Sequence, residues 1–517
     1  MPRSAVVIGA GHNGLTAACY LARANVQVTV FEASEHIGGM TATLPLIPEA
    51  PEHLVSPCAI DAVYWQASGV GDELGLSRFG LRTVEHDPAW AWLGPNGESL
   101  VLRKDVEATI ADIRRFSPAD AETYRQFAAT AQRALAIQDL YGARHPSAPG
   151  RRVLLKAIRE LRDREVRRLL GAALSTSAAD LISTTFTSEA VRGAFACMAS
   201  ILGSVIADSS GIGILATAPL HTYGVLRPIG GMQAIPDALH RCLTDAGGVV
   251  KVAAPVTTIL VERGAAVGVV LADGTTVRAD HVVCAIPPQV TARLLADSDL
   301  PGVESLRRAP ANASGVGCLT MGLALRGQVA IPDHQAARHD SVDLREPTLF
   351  FGTLDEVESA EREARSGLTP ANPPWTATIL SARDPSQAPQ GQDILYAYGP
   401  APVRPHAGWQ TARKSAEEAL VGALSQALDG PETLEIGRFV ETPEALEQRL
   451  GAPNGCIYHV DQSVTRIGPL RPALGWAGRT PRVPGLVLSG AGSHPGGGVS
   501  GLPGQIAAQT VLRTFKP

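Results

Sequence analysis

Three glycines and an acidic residue near the start of the chain have the types and spacing of a nucleotide-binding site. Gly9, Gly11 and Gly14 form a GxGxxG pattern, and Glu32 follows about 20 residues later. The first glycine permits a sharp turn, the second lets a pyrophosphate approach the backbone, and the third lets a helix pack closely on a strand. The acidic side chain can accept hydrogen bonds from a ribose diol. This stretch predicts dinucleotide binding, the alternative being an ordinary glycine turn.

The segments around these glycines have the pattern of a strand, a helix and a second strand. Residues 5–8 are apolar and predict a buried strand, residues 15–24 have helical spacing, and residues 26–31 predict the next strand. The N–H groups at the start of the helix would face the phosphates. His12 lies in the turn, where we expect it to pack near the phosphates without a proton role.

A second glycine turn narrows the choice of cofactor. Gly38 and Gly39 follow shortly after Glu32, where an NAD-dependent dehydrogenase would continue into another helix and strand of its sheet. A glycine pair at this place suits a backbone that lies beside the rest of a larger nucleotide. With the first turn, it resembles the FAD-binding start of the phytoene desaturase-like and amine oxidase-like flavoproteins.

Another glycine-rich loop lies near the end of the sequence, between an apolar strand at 485–489 and a helix expected from 501 to 514. Residues 490–501 include six glycines, which let a backbone lie against a flat ring and a phosphate. The stretch 490–504 resembles the ending of a phytoene dehydrogenase-related branch of flavoproteins, and so do residues 458–461, 471–476 and 479–481. The alternative interpretation is that this loop is only a flexible turn.

The resemblance implies FAD as the cofactor. One residue departs from the pattern: amine oxidases and many desaturases follow the glycine pair with an arginine, whereas this chain has Met40. The departure disfavours amine oxidation and leaves the phosphates to backbone N–H groups and helix dipoles. The residues expected to bind the cofactor are Gly9, Gly11, His12, Asn13, Gly14, Glu32, Ala33, Gly38, Gly39, Met40, Val256, Gly492, Val499 and Ser500.

The order of the predicted elements indicates an α/β fold with a discontinuous nucleotide domain. A run of strands after residue 249 would return to the first sheet, as in two-dinucleotide-binding (Rossmann-like) flavoproteins, with Val256 near the adenine. Strand-like runs after residue 300 predict a second, antiparallel-sheet substrate domain, and a helical subdomain precedes them. The expected division is 1–75, 225–300 and 450–517 for the FAD domain, 76–224 for the helical part and 301–449 for the substrate sheet.

Composition excludes several classes of protein. The net charge of −5 gives no support to a nucleic-acid partner, and the seven scattered cysteines argue against a disulfide scaffold, a zinc site and a dithiol pair. We expect a reducing, cytoplasmic location, with no membrane-spanning segment. Only five of the 45 basic residues are lysines, which favours a bacterial source.

Residues 151–170 form the most unusual segment in charge. Eight basic residues stand among three acids, and the apolar positions have helical spacing. Such a helix either lies on an anionic membrane or packs its apolar side on the protein. Residues 65–80 also have the pattern of one helix, ending at a glycine.

Candidates for the catalytic groups are His494 in the glycine loop, His459, and Tyr223. His459 and Asp461 could form an oriented acid–base pair, or could simply face one polar side of a strand. The resemblance implies hydride transfer from a carbon–carbon bond of an apolar, polyene or isoprenoid-like substrate to flavin N5. The alternatives are an isomerase or saturase, an amine or amino-acid oxidase, and a lipid-binding or interaction protein that FAD stabilises. Sequence leaves the electron acceptor and the oligomeric state open.

Overall fold

A computed structural model describes residues 3–295, 300–478 and 481–515 of the chain. Arg479 and Thr480, which belong to one of the resembling stretches, lie outside the described residues. The strands are β1 (Ser4–Ile8), β2 (Gln27–Phe31), β3 (Thr83–His86), β4 (Trp90–Leu93), β5 (Ser99–Leu102), β6 (Val225–Pro228), β7 (Val249–Lys251), β8 (Val256–Glu262), β9 (Ala265–Leu271), β10 (Thr276–Arg278), β11 (His281–Cys284), β12 (Val316–Leu325), β13 (Thr348–Phe351), β14 (Trp375–Ile379), β15 (Asp393–Pro402), β16 (Glu435–Glu441) and β17 (Leu486–Leu488).

Helices connect these strands, and the helices that lie between β5 and β6 in the sequence form a separate layer. They are α1 (His12–Arg23), α2 (Val63–Ser68), α3 (Val70–Glu73), α4 (Val106–Arg114), α5 (Pro118–Gly142), α6 (Arg151–Glu160), α7 (Arg164–Ser175), α8 (Ala178–Thr185), α9 (Glu189–Ser200), α10 (Thr217–Tyr223), α11 (Ala234–Asp245), α12 (Pro288–Leu294), α13 (Val303–Arg307), α14 (Pro332–Ala336), α15 (Leu354–Arg365), α16 (Leu380–Arg383), α17 (Trp409–Leu424), α18 (Pro443–Leu450) and α19 (Leu502–Thr514). Across the described ranges, no helix has the length and apolar character needed to cross a membrane.

A five-stranded parallel sheet carries the first glycine turn. Its order is β17-β11-β1-β2-β7, so strands from distant parts of the chain lie side by side. Successive side chains of β1 point to opposite faces of this sheet, and both faces are covered. Val7 packs with the helices α1, α11 and α19, whereas Val6 and Ile8 pack toward the small antiparallel sheet β8–β10. The α/β fold expected from the sequence is confirmed, and the predicted return of β11 to the first sheet is observed.

A second sheet of seven strands has the order β16-β12-β15-β14-β13-β4-β5. All its neighbours are antiparallel except β4 and β13, which run parallel. The β4–β5 hairpin lies within the expected helical part 76–224, yet it forms an edge of this sheet. The exact domain boundaries stay a prediction.

The helical layer is held by aromatic packing. Tyr124, Phe127, Phe186 and Phe195 are buried together, with ring centroids 4.8–6.5 Å apart. Pro118 follows the capping Ser117, whose hydroxyl accepts a hydrogen bond from Asp120 N at 3.1 Å. The long helix α5 therefore begins directly after its capping serine, with a proline as its first residue.

Two predicted helices are broken. The expected helix over 65–80 becomes α2, α3 and a short 3-10 turn because Gly69 and Gly75 adopt φ values of +69° and +58°. The expected helix over 151–170 becomes α6 and α7, since the Asp163 carboxylate accepts hydrogen bonds from Glu165 N and Val166 N and begins a new helix there.

Candidate cofactor and active site

A cavity of about 590 Å³ opens at the carboxyl ends of β1, β2 and β11. Ile8, Phe31 and Ala285 line it at those strand ends, and the walls continue to the inner face of the seven-stranded sheet. The carboxyl edge of a parallel sheet is where nucleotides bind in doubly wound folds. One end of the cavity is therefore placed for a nucleotide and the other for a second molecule.

The first glycine turn has the geometry that the spacing predicts. A Cβ atom on Gly14 would lie 2.0 Å from the carbonyl oxygen of Gly9, so helix and turn approach as closely as glycine allows. A Cβ atom on Gly11 would meet nothing nearer than Gly38 O at 3.9 Å, and Gly11 lines the cavity. Gly38 N donates to Ala10 O at 3.0 Å, which joins the two glycine turns. The backbone at Gly11 thus faces the open space of the cavity.

Glu32 stands at the end of β2 with its carboxylate fixed in place. Ala10 N donates to one carboxylate oxygen at 2.7 Å, and Ser34 N donates to the other at 2.9 Å. These bonds hold the side chain at the cavity, next to Ala33. Each oxygen keeps a further lone pair that can accept a bond from a hydroxyl group.

Two polar side chains from the first turn of α1 face the cavity. Asn13 is 4% exposed, and its Oδ1 has no hydrogen-bond partner among the described residues. His12 lies beside the backbone of Gly498, and its burial lowers its pKa to about 4. A buried amide oxygen without a partner is costly, and a bound group would relieve that cost. His12 is therefore neutral near pH 7, and its place beside the phosphates stays a prediction.

Three separate segments of the chain also line the cavity: the turn after Gly39, the start of β8, and the loop between β17 and α19. Val256, Met40 and Val499 line the cavity. Gly492 and Ser500 do not: a Cβ on Gly492 would lie 2.7 Å from Pro288 Cδ, and the Ser500 hydroxyl accepts a bond from Leu502 N at 3.3 Å. These two residues shape the glycine loop rather than its cavity surface.

The second end of the cavity is formed largely by residues that the sequence analysis did not select. They alternate along strands of the seven-stranded sheet and so face one side of it. Rings from Tyr64, Trp90 and Tyr458 complete the wall. The sheet residues are Cys318 and Thr320 on β12, Thr348 on β13, Thr376 on β14, and Tyr396 and Tyr398 on β15.

The charged residues at this end are paired with other protein groups. Arg449 Nε and Nη2 donate to the two carboxylate oxygens of Glu441 at 2.5 and 2.9 Å. Asp61 accepts from Arg227 Nε at 2.5 Å. Each carboxylate that lines this end is thus paired with an arginine, and none of the described residues places an unpaired charge there.

Comparison with known proteins agrees with this geometry. Residues 110–432 match the profile of the family described as flavin containing amine oxidoreductase, and residues 7–57 match a NAD(P)-binding Rossmann-like domain. The chain belongs to the flavin-containing amine oxidoreductase family.

Its relatives include pyridine nucleotide-disulfide oxidoreductase domain-containing protein 2 of Rattus norvegicus, 29% identical over 99% of this chain and 94% of the relative. A phytoene desaturase (neurosporene-forming) of Cereibacter sphaeroides is 25% identical over 99% of this chain and 94% of its own length. Among solved structures, an oxidoreductase from Methanosarcina mazei has a TM-score of 0.61 at 16% identity, covering 99% of this chain and 100% of the other. The resemblance drawn from the sequence is confirmed.

This flavin-containing oxidoreductase uses FAD, and the site fits that cofactor. A bound nucleotide would fill the open space at Gly11, offer hydroxyl groups to the fixed carboxylate of Glu32, and give Asn13 Oδ1 a hydrogen-bond partner. Bound FAD supplies a hydride acceptor beside the substrate. The family also fixes the enzyme class as an FAD-dependent oxidoreductase.

His459 is the one candidate catalytic residue that lines the cavity. It lies in a loop, and its Nδ1 is buried with no partner within the described ranges. Burial, and then the charge of Arg471, lower its pKa to about 3, so the ring is neutral near pH 7. Asp461 does not pair with it, because the Asp461 carboxylate accepts from Asn312 N at 2.6 Å and Ala313 N at 3.1 Å.

Arg471 holds the His459 loop against the glycine loop. The side chain is fully buried, and its burial lowers its pKa to about 10. It donates to the carbonyl oxygens of Tyr458, Val460 and Asp461 at 2.9–3.0 Å and to Ala491 O at 2.8 Å. The sequence flagged Arg471 only as part of a resembling stretch, since nothing local shows how many carbonyls converge on it.

His494 and Tyr223 lie away from the cavity lining. His494 is 5% exposed, forms a hydrogen bond between its Nε2 and Tyr141 O at 3.2 Å, and packs edge-on against the Tyr141 ring. Tyr223 ends α10, and its hydroxyl donates to the Asp139 carboxylate on α5. Their catalytic roles stay predictions that this geometry does not favour.

Proposed function

We propose that this protein removes hydrogen from carbon–carbon bonds of an apolar, elongated substrate, using FAD as the hydride acceptor. The observation that carries the proposal is the substrate end of the cavity, where apolar and aromatic walls surround carboxylates already paired with arginines. The similarity to a phytoene desaturase supports a conjugated polyene or isoprenoid-like substrate.

A second chamber of about 420 Å³ supports an elongated shape. It shares Cys318, Thr376 and Tyr398 with the main cavity, so the two spaces meet at the strands β12, β14 and β15. A long substrate could extend from the nucleotide end past these residues into the second chamber. A short substrate would fill only the first.

The protein's own residues would act by positioning and by excluding water. His459 is neutral near pH 7, so a role for it is to orient the substrate or to accept a hydrogen bond. Desaturation removes a hydride, which the flavin accepts, and a proton, which passes to water. Conjugation of the substrate activates these C–H bonds, so a strong protein base is not required. Tyr458, whose hydroxyl donates to Ile201 O at 3.0 Å, joins the His459 loop to the helical layer and lines both chambers.

One observation favours oxidation of amines as a second candidate. Tyr396 and Tyr398 both line the cavity, with ring centroids 6.1 Å apart at 61°. Aromatic rings can bind an ammonium group through their negative faces. Against this, the carboxylates that could attract a cation are occupied by arginines.

The deciding experiment is anaerobic titration of the FAD-bound protein, followed by flavin absorbance. The panel contains a detergent-dispersed polyene such as phytoene, a saturated hydrocarbon of equal length, and an aliphatic diamine. Bleaching with the polyene alone supports desaturation. Bleaching with the diamine alone would replace the proposal by amine oxidation.

Flavin that bleaches with no member of the panel would overturn desaturation. It would leave the isomerase, the saturase and the FAD-stabilised lipid-binding protein. Adding the polyene to dithionite-reduced protein then separates these three. A saturase lowers the number of double bonds, an isomerase changes only their position or geometry, and a binding protein leaves the polyene unchanged.

A variant at the junction of the chambers tests the elongated shape. Cys318→Phe places a ring where the two chambers meet and should abolish flavin reduction by a long polyene while leaving the bound-FAD spectrum unchanged. Cys318→Ser changes little volume and is the matched control. Full activity of Cys318→Phe toward the long substrate would show that the second chamber is not used.

We also propose a cytoplasmic location in a bacterial cell. The cysteines Cys19, Cys58, Cys197, Cys242, Cys284, Cys318 and Cys456 are all free thiols, as a reducing compartment would keep them. Cell fractionation of the native host, with the protein detected by antibody, tests this location.

A further inference from the structure

The helix α6 exposes its apolar residues and buries an acidic one, the reverse of the usual arrangement for a surface helix. Leu154, Leu155 and Ile158 are 54%, 66% and 53% exposed, whereas Glu160 is 4% exposed. Leu161, just beyond the helix, is 39% exposed. Single exposed leucines are common, but four within eight residues form a patch that calls for a partner.

The inward orientation of Glu160 explains why the helix sits this way. Its carboxylate accepts from Arg133 Nε at 2.8 Å and forms ion pairs with Lys156 at 2.9 Å and Arg159 at 3.0 Å. Val153, on the same side of the helix, is 5% exposed. The bond from Arg133 joins α6 to α5, whereas Lys156 and Arg159 lie on α6 itself. The inner face of α6 is therefore held by Glu160 and Val153, and the leucines on the other side are exposed.

Basic residues border this patch. Arg151 and Arg152 begin α6, and Arg162 follows it, all three exposed. No carboxylate pairs with these arginines within the described ranges. The acids nearest in sequence are engaged elsewhere: Glu160 as above, and Asp163 with Arg133 at 2.8 Å. A local positive field surrounds the leucines although the whole chain carries a net charge of −5.

A second exposed apolar segment lies beside the connection that leads into α6. Leu474, Ile467 and Leu470 are 73%, 42% and 38% exposed. Their loop contacts that connection at Ser147 and contacts the end of α5 at Tyr141. Ser147 Oγ donates to Ala477 O at 2.6 Å, and Gly468 packs so tightly on Tyr141 that a Cβ would lie 2.3 Å from the hydroxyl oxygen.

We propose that α6 with Leu161 and Arg162 is a docking surface for an anionic lipid bilayer, on which the leucines enter the acyl boundary and the arginines contact lipid phosphates. We call this set of residues (Arg151, Arg152, Leu154, Leu155, Ile158, Leu161 and Arg162) the α6 surface. Exposed leucines bordered by unpaired arginines match a membrane interface in both chemistry and charge. A second copy of this chain would have to bring its own carboxylates to the same place, and the net basic character of the α6 surface disfavours pairing with itself.

The binding test uses the full-length, FAD-bound protein and vesicle flotation. Vesicles of phosphatidylcholine alone are compared with vesicles that also contain phosphatidylglycerol, at low and high salt. We expect about tenfold or more stronger binding to the anionic vesicles, lost at high salt, because each unpaired basic residue near such a surface adds to the attraction.

Variants assign the binding to the α6 surface. Leu154→Ser/Leu155→Ser/Ile158→Ser should lower vesicle binding about tenfold or more, with an unchanged FAD spectrum, since these side chains bury little. Leu368→Ser removes a leucine of 53% exposure from another part of the surface and should bind as the parent does. Arg151→Glu/Arg152→Glu tests the charge separately and keeps the test valid if the triple variant does not fold.

Three results would overturn the proposal. They are a parent protein that fails to float with anionic vesicles, a parent that binds both vesicle types equally, and variants that bind as the parent does. Light scattering on the same samples identifies the rival occupant, because a parent dimer that becomes a monomer in the triple variant would mean that a second copy covers α6. The test needs no substrate, so its failure leaves the proposed desaturation standing, and the reverse also holds.

Discussion

Substitution by alanine at Gly11 and at Gly14, two glycines of the first turn, should change different properties: FAD affinity at Gly11 and the stability of the fold at Gly14. A Cβ on Gly14 would lie 2.0 Å from Gly9 O and 3.0 Å from the Ala285 Cβ, and the nearest atom is backbone that cannot rotate away. A Cβ on Gly11 has 3.9 Å of clearance, and the φ and ψ values of −69° and 167° at Gly11 suit alanine. Gly14→Ala therefore perturbs the fold, and Gly11→Ala perturbs only what enters the cavity.

The expected magnitudes follow from these distances. Overpacking of this kind costs about 3 kcal/mol or more, so the Gly14→Ala apoprotein should melt several degrees lower than the parent. Gly11→Ala should keep its apoprotein stability within about 0.5 kcal/mol. Its methyl group would occupy the place of the pyrophosphate, so we expect the FAD dissociation constant to rise about tenfold, or about 1.4 kcal/mol.

The measurements are thermal melting of the flavin-free protein and fluorescence titration with FAD. Both variants are compared with the parent prepared by the same removal of flavin. Parent-like FAD affinity in Gly11→Ala would refute the placement of the pyrophosphate against Gly11. Parent-like stability in Gly14→Ala would refute the tight packing of α1 on the turn.

Three further predictions concern single side chains. Glu32→Ala removes the acceptor of the Ala10 and Ser34 N–H groups and should weaken FAD binding about tenfold in the same titration; Glu35→Ala, on an exposed neighbour, should not. Arg471→Met leaves several buried carbonyls unpaired and should lower the free energy of unfolding in urea by about 3 kcal/mol or more, with Arg471→Lys less affected; an unchanged midpoint would contradict this. His494 has a pKa lowered from 6.5 to about 4 by burial, so the unfolded state binds its proton first as pH falls. Stability is lost from pH 6.5 downward, by about 2 kcal/mol at pH 5, and urea unfolding of His494→Gln should show a correspondingly flatter pH dependence.

The nucleotide end of the site could be predicted because its signals are local. Gly9, Gly11 and Gly14 act within one turn, and Glu32 is separated from them by a single helix and strand. The period-2 pattern of the strands and the cap at Ser117 are equally local. Sequence reasoning failed where a local signal competed with another: Gly69 and Gly75 break one predicted helix, and the Asp163 cap, which was present in the sequence, divides the other.

The substrate end could not be predicted because it depends on pairings between distant strands. Cys318, Thr376 and Tyr398 share a face only because β12, β14 and β15 lie together in one sheet. The direction of a side chain poses the same difficulty. His494 lies in the glycine loop as expected, yet it contacts Tyr141 on α5 rather than the cavity, and no pattern near His494 shows that helix.

The order of strands in the parallel sheet sets a delay during synthesis of the chain. β1 and β2 leave the ribosome first, but their sheet is incomplete until β17 and α19 follow, more than 450 residues later. At ~5–20 residues per second, that interval is roughly 20 to 90 seconds. After β11 has been made, roughly 200 residues follow before its second neighbour β17, and the α1 helix lacks its neighbour α19 for the whole interval. Gly498 and Val499, in the loop between β17 and α19, also line the cavity, so the complete FAD site forms only after this last part of the sheet has been made.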